Sequence, residues 1–468
     1  MKQADSSEGA FSIESNSIDY VPPEQRHGNP KDLFTLWFCT NIAPLAVITG
    51  ATAIVTFRLD VVSAVLAICF GHFFGALILG LTSAQGPQVG IPQMIQSRAQ
   101  FGRYGSLLVV VFTTIIYLGY FISNIILSGK TLHTVAPAIP LSAATVIGAV
   151  LATLIGVIGY NFIHRINKLG TWFMGGALLL GTAIMLPQLT PAMLQQGQFS
   201  ASAWFAVFGI CAVWQISFSP YTSDYSRYLP KSTGIFKPFL YTYLGAALGT
   251  ICAFLFGVLA VSITDTSDAM LAVKEHTGIL GFAIMVLFLA NVIGHNAMNL
   301  YGAVLSCITS IQTFSIEWRP GRKARIALSV TVLIVSTWGA LLASADFISI
   351  FISAVFALLF ILAPWVAINL IDFYLINRAG YDIASIFARD GGVYGKFNVS
   401  AMTAYFVGIG VQLPFIRNAW FEGSWSRALG DIDVSWLVGL LVTAVVYLVL
   451  NSSRLGLSAS LSAPQRAN

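Results

Sequence analysis

Apolar runs recur along almost the whole chain, each long enough to cross a bilayer and each closed by a short polar interval. A spanning helix needs about 20 mainly apolar residues. Twelve such runs are found, over residues 33–57, 61–82, 106–129, 141–160, 168–187, 202–228, 237–263, 279–306, 325–343, 347–371, 399–416 and 435–451. The expected fold is therefore an all-α membrane protein of twelve transmembrane helices. Spans 9 and 10 are joined tightly, around residues 343–346.

Two spans break the apolar pattern. Span 1 carries Asn41 and Pro44 in mid-run, and span 6 carries Gln215, Ser217, Ser219, Pro220, Thr222 and Ser223. A proline inside a helix leaves a carbonyl one turn back without its N–H partner. In hydrocarbon such backbone is tolerated only within protein or against a water-filled cavity. Interrupted segments at matching positions of two halves point to an inverted-repeat carrier and its binding site. The expected organisation is a repeat over about 33–187, an oppositely oriented repeat over about 202–371, and two peripheral helices over about 399–451. Residues 1–30 and 452–468 read as cytoplasmic tails flanking a 31–451 transporter domain. Two ordinary proline-kinked helices are the alternative.

Composition agrees with a membrane class. Hydrophobic residues make up 56% and charged residues 9%, against about 25% charged in a soluble domain, and mean hydropathy is +0.79. The N-terminal stretch lacks the apolar core of a cleavable signal peptide. With the N-terminus inside, only Arg58, Lys130, Lys274, Arg417 and Arg427 of the 24 Lys and Arg fall on the outer side. That asymmetry puts both termini in the cytoplasm of a multi-pass protein of the plasma membrane, a bacterial inner membrane. The net charge of +5 is thus spread over loops and is not a nucleic-acid signal. The five cysteines lie in apolar runs without ligand-like spacing and read as small buried hydrophobes.

No Asp, Glu, Lys or Arg stands in the middle of a span. A carrier of a charged solute usually shows a buried counter-charge there, so a neutral solute is expected. Span 3 offers Tyr117, Tyr120, Phe121 and Asn124 on one broad face; span 6 offers Trp214, Gln215, Ser217 and Phe218. Span 8 holds Asn291, His295, Asn296 and Asn299, each of which needs a partner in a membrane. Aromatic faces can clamp a flat heterocycle and amides can read its edge. The same aromatics can be packing and the same amides interhelical glue, a reading that weighs most on Asn124 and Asn291. His72 reads as a paired packing residue, and Asp224 with Arg227 as an ion pair at a helix end. Rings of charge for a channel are missing, as is a nucleophile–base or metal constellation for an enzyme.

Together these segments resemble the nucleobase–cation symporters, especially the purine–cytosine permease branch, over about residues 20–450. The matching pieces are Arg26–Phe34 with Trp37 and Asn41, Gly90–Pro92 through Arg98–Gly105, Asp224–Pro230 and Asn299–Tyr301. The resemblance implies the five-plus-five inverted repeat of the sodium–amino-acid symporter type and alternating access. Spans 1, 2, 6 and 7 would rock against 3, 4, 8 and 9, with a thin gate over the site that includes Ser349 and Ser353. It also implies a base held between an aromatic of span 3 (Tyr117 or Tyr120, with Phe121 and Asn124 nearby) and one of span 6. An amide, with Asn299 or Asn296 the span 8 matches, would read the edge. The cation site implied by sodium-dependent relatives would use backbone near Asn41–Pro44 and Ala290, but Ile293 and Gly294 stand where hydroxyl ligands are expected, and hard cations want oxygens. Proton coupling through His295, whose unperturbed pKa of about 6.5 suits a relay, follows. The expectation is a monomeric proton-coupled importer of cytosine or a purine without other cofactors. The alternative is a sodium-coupled carrier of allantoin or hydantoin, hydroxymethylpyrimidine or vitamin B6.

Overall fold

The computed structural model describes residues 18–318, 320–342, 347–378, 380–417 and 421–454. The 343–346 join lies outside the described residues, as do the side chains of Ser349 and Ser353. Secondary structure is helical throughout, with one isolated bridge between Arg417 and Glu422 among the described residues. The first span is two helices, α1 (Lys31–Asn41) and α2 (Pro44–Val55), bent by 60°. Next come α3 (Val61–Ser83), a short α4 (Gln93–Phe101), α5 (Ser106–Val135), α6 (Leu141–Ile158) and α7 (Tyr160–Met185). After them run α8 (Ala201–Ile216), the one-turn α9 (Thr222–Ser226), α10 (Phe236–Ser262), α11 (Ala269–His276) and α12 (Leu280–Phe314). The chain closes with α13 (Arg322–Leu342), α14 (Phe347–Ile371), α15 (Val399–Gly410) and α16 (Ser435–Leu450). Among the described residues, eight helices are long and apolar enough to cross a membrane, or nine counting the bent pair as one span.

The break in span 1 has a local cause. Ile42 leaves helical geometry, Ala43 is extended, and Pro44 starts α2 at its first position, where a missing N–H costs nothing. Span 6 behaves differently from the expectation of a matching bend. Its α-helix ends at Ile216, tightens into a single 3-10 turn over Ser219–Tyr221 around Pro220, and resumes as α9. Ala201–Ser226 therefore remains one span, and among the described residues only span 1 bends beyond 40°.

Packing sorts the helices into groups. α10 lies along α1, α2 and α3, and α3 along α8; α12 lies along α5 and α6. The α1/α2–α10 contact is backbone on backbone: a methyl group on Gly245, Gly249 or Gly257 would overlap the carbonyl oxygens of Phe34, Phe38 and Val47. That close approach fixes the bent span to α10 as one body.

The most polar helix is also fully buried. All nine residues of α4 are inaccessible. Nearby, Arg98 donates to Gln312 Oε1 (3.1 Å), Thr313 Oγ1 (3.1 Å) and the Thr309 carbonyl (3.2 Å). Arg103 donates to the Thr313 carbonyl (2.5 and 3.0 Å) and the Arg389 carbonyl (2.5 Å). Two guanidiniums thus meet the carbonyl-rich C-terminal end of α12, where the helix dipole favours positive charge. Past α14, buried Asp372 accepts from Tyr381 and Tyr447 hydroxyls (2.8 Å each) and Asn377 Nδ2 (3.0 Å), tying the 372–396 segment to α16. The five cysteines are free; Cys39 and Cys211 are buried as expected, but Cys252 is exposed on α10.

Candidate functional site

Two side chains of α12 hold the broken end of α1. Asn291 Nδ2 donates to the Cys39 carbonyl (3.0 Å) and to the Ile42 carbonyl, while Cys39 Sγ donates to Asn291 Oδ1 (3.2 Å). One turn on, His295 Nδ1 lies 2.5 Å from the Thr40 carbonyl. A carbonyl only accepts, so Nδ1 carries the proton and Nε2 is left bare. Asn41 completes the cap: its Nδ2 donates to the Trp37 carbonyl (2.7 Å) and its Oδ1 accepts from Trp214 Nε1 (2.9 Å). The carbonyls freed by the bend are therefore met by side-chain donors, as buried backbone demands.

Beside this bend lies a small buried cavity lined by Ala43, Leu45, Tyr120, Asn124, Trp214, Phe218 and His295. The gap between these side chains has no room for a water molecule. Tyr120 and Asn124 sit four apart on α5, on one face. Tyr120 Oη and Ser217 Oγ share a hydrogen bond (3.0 Å), which fixes the Tyr120 ring near Phe218. The two rings are nearly parallel, 18° apart, with centroids 6.1 Å from each other. Two rings that held a flat ring between them would stand about 7 Å apart, two van der Waals contacts of about 3.5 Å, about 1 Å more than here. Trp214 forms a wall, edge-on to Phe218 at 6.3 Å.

Polar atoms at this cavity divide sharply. The Asn124 side chain makes no hydrogen bond among the described residues, and His295 Nε2 has no partner there either. Every other polar candidate is committed elsewhere. Tyr117 Oη donates to the Pro220 carbonyl (2.9 Å) and its ring packs edge-on to Tyr221. Gln215 turns away to His72 Nδ1 (3.3 Å), Thr250 Oγ1 (2.9 Å) and the Ala246 carbonyl (3.2 Å), so His72 is the paired packing residue expected. Ser217 Oγ also donates to the Trp214 carbonyl (2.9 Å). Asn296 Nδ2 donates to the Phe121 carbonyl (3.0 Å), and Asn299 bridges Tyr221 Oη (2.5 Å) and Asn296 Oδ1 (3.2 Å).

Of the predicted site residues, then, Tyr120, Asn124, Trp214, Phe218 and His295 converge on the cavity. Tyr117, Phe121, Gln215, Ser217, Asn296 and Asn299 stand behind it and hold its walls, and Asn41 orients Trp214. Ala290 is exposed and inside the continuous α12, so its own carbonyl is not freed by a break. The sequence reading missed Ala43 and Leu45. Their signal was present: they flank Pro44, and backbone at a helix break faces the cavity that tolerates it. No group of three or more His, Cys, Asp or Glu that could hold a metal occurs among the described residues.

Comparison with known proteins agrees with this architecture. A family model described as permease for cytosine/purines, uracil, thiamine, allantoin matches residues 20–439. YxlA of Bacillus subtilis (strain 168), which carries a purine-cytosine permease name, is 34% identical over 95% of this chain and 97% of its own. The purine-cytosine permease fcyB of Emericella nidulans is 24% identical over 94% of this chain and 88% of its own. Among solved structures, the nucleobase-cation-symport-1 transporter Mhp1, closed with bromovinylhydantoin bound, superposes with a TM-score of 0.77. It is 16% identical and covers 95% of this chain and 97% of its own. Inward-facing Mhp1 gives 0.71, with 97% and 96% covered. This chain is a multi-pass membrane permease and not an enzyme, and it belongs to the family of permeases for cytosine/purines, uracil, thiamine and allantoin.

Proposed function

We propose that this permease is a proton-coupled symporter importing a neutral nucleobase, cytosine or a purine, by alternating access. The observation that carries the reading is the clamp: parallel Tyr120 and Phe218 rings with an uncommitted Asn124 amide at their edge. No charged side chain lines that cavity, which suits a neutral ring. In this reading twelve spans form a five-plus-five inverted repeat with two peripheral helices, both termini are cytoplasmic, and the protein works as a monomer in the plasma membrane. The test is uptake of labelled cytosine into cells producing the protein, competed by adenine, hypoxanthine, uracil, allantoin, hydroxymethylpyrimidine and pyridoxine. Saturable uptake blocked by one or two bases is expected; uptake blocked only by allantoin or pyridoxine overturns the nucleobase assignment.

Coupling to protons rests on His295. The carbonyls at the bend already accept N–H donors from Asn291 and His295, which leaves a poor oxygen cradle for a hard cation. Because Nδ1–H is committed to Thr40, an added proton goes to Nε2, on the cavity side. Bare Nε2 accepts a hydrogen bond; protonated, it donates one. A ligand carbonyl or ring nitrogen at that point binds the protonated form better, and by reciprocity proton and ligand favour each other's binding. Replacing His295→Gln is expected to abolish accumulation driven by a pH gradient while exchange of ligand persists. Unchanged accumulation would remove His295 from the coupling.

A further inference from the structure

Where α1 and α10 begin, the surface opens into a second cavity of about 350 Å3, which shares no lining residue with the clamp. That volume holds about a dozen waters. Its polar lining is Asn29, Lys31, Ser232, Thr233, Lys237 and Tyr241. Lys31, Lys237, Ser232 and Tyr241 make no side-chain hydrogen bond or ion pair among the described residues. Asn29 spends its carbonyl oxygen on the Lys31 N–H (3.0 Å), which leaves its amino group free. Only the Thr233 hydroxyl is spoken for, by the Pro230 carbonyl (2.8 Å).

No carboxylate lines the cavity. Asp32, the acidic residue next in sequence, accepts from the Asn29 N–H (3.2 Å) and pairs with Lys168 (3.5 Å). Two ammoniums and three neutral donors thus converge with no anion to meet them. Two positive charges facing one space are unfavourable unless an anion or water screens them. Beside them in sequence, Ile235 and Phe236 are exposed at 43% and 68%, an apolar ledge that lipid chains can cover. Basic pockets between transmembrane helices are suited to phosphorylated headgroups.

We propose that this cavity binds a phosphate-bearing anion, supplied as the headgroup of an anionic phospholipid. Lys31 and Lys237 neutralise the phosphate, Ser232, Tyr241 and Asn29 donate to its oxygens, and the acyl chains lie along Ile235 and Phe236. Since α1 and α10 are locked through Gly245 and Gly249, the headgroup bridges two ends of one body and anchors it in its leaflet. The site stands or falls independently of the transported solute and of the coupling ion.

The test is thermal unfolding of the purified full chain in neutral detergent, titrated with short-chain phosphatidylglycerol, short-chain phosphatidylcholine or inorganic phosphate. Each arm is run on wild type, on the Lys31→Gln, Lys237→Gln double variant and on the Lys31→Arg, Lys237→Arg pair. Phosphatidylglycerol is expected to raise the unfolding temperature of wild type and of the arginine pair, and phosphatidylcholine to leave both unmoved. The glutamine pair should need about 30-fold more phosphatidylglycerol for half the effect, at about tenfold per 1.4 kcal/mol and about 1 kcal/mol for each lysine. Inorganic phosphate matching phosphatidylglycerol would keep the anion site but assign it to a soluble source. An equal phosphatidylglycerol response in wild type and the glutamine pair, or an equal response to phosphatidylcholine, overturns the proposal. Because the arginine pair keeps the charge, a folding defect in the glutamine pair does not decide the result.

Discussion

An Asn124→Leu variant is expected to transport its ligand about 100-fold less efficiently than wild type and to unfold at the same temperature. The two halves of that result have one cause. Asn124 is buried, at 2% exposure, yet bonds to nothing among the described residues. Leucine has the same branched outline as asparagine, and no protein group loses a hydrogen-bond partner. The ligand does lose one: a buried edge left unpaired costs about 1–3 kcal/mol, a factor of up to about 100. Sites built on such bonds reject analogues that cannot make them. Asn299→Leu supplies the contrast, because it strands the Tyr221 hydroxyl and the Asn296 carbonyl oxygen, and it should lower stability as well as transport. The measurement is uptake efficiency in proteoliposomes beside thermal unfolding of the same preparations. A clear drop in the unfolding temperature of Asn124→Leu would make that residue interhelical glue and remove it from the site.

That contrast also shows what could be read from the chain and what could not. Hydropathy located the helices, because burial of about 20 apolar residues in a row has few alternatives. Asn41 and Pro44 announced the bend, since proline at a first helical position and an amide beside freed carbonyls both point outward from the sequence. The aromatic pair was legible only to within a few positions. Tyr120 and Phe218 stand nearly parallel just past the end of α8, where the chain leaves the α-helix after Ile216, and the sequence does not say at which residue that helix ends. Which asparagine faces the cavity was not legible at all. Asn124, Asn291, Asn296 and Asn299 are chemically identical, and their roles follow from which carbonyl the neighbouring helix happens to present. The burial of the polar run Gln93–Phe101 was not legible either; it depends on the C-terminal end of α12 and on residues 388–389 arriving to meet Arg98 and Arg103.

The bend in span 1 links the clamp to its neighbours. Ala43 and Leu45 line the cavity, and Trp214 touches the bend through Asn41. His295 reaches both the Thr40 carbonyl and the cavity. A ligand that pushes Phe218 from Tyr120 therefore acts on groups bonded to the end of α1. Since α1 and α2 are fixed to α10 by close glycine contacts, movement at the bend carries three helices with it.

Asn291 is the residue on which that arrangement depends most heavily, and Asn291→Leu is expected to destabilise the protein by about 2–3 kcal/mol. The change keeps the branched outline and removes three hydrogen bonds at once, two to carbonyls and one from Cys39. Cys39's carbonyl retains the Ile42 N–H at 3.0 Å, so the principal loss falls on the Ile42 carbonyl. Single interhelical hydrogen bonds in membranes average only about 0.6 kcal/mol; the larger figure is expected here because backbone at a helix break has no intrahelical alternative. Unfolding of detergent-solubilised protein by titrated SDS measures it. Asn291→Asp separates capping from simple packing. It sets a carboxylate against two carbonyl oxygens, an oxygen cluster suited to a hard cation. Its stability, read by thermal unfolding in sodium-free and potassium-free buffer without dodecyl sulfate, should fall like that of the leucine variant and recover as sodium is added, while wild type is indifferent to sodium. If the leucine variant is as stable as wild type, Asn291 does not hold the bend, and the links from cavity to α1 are His295 and the Trp214–Asn41 pair.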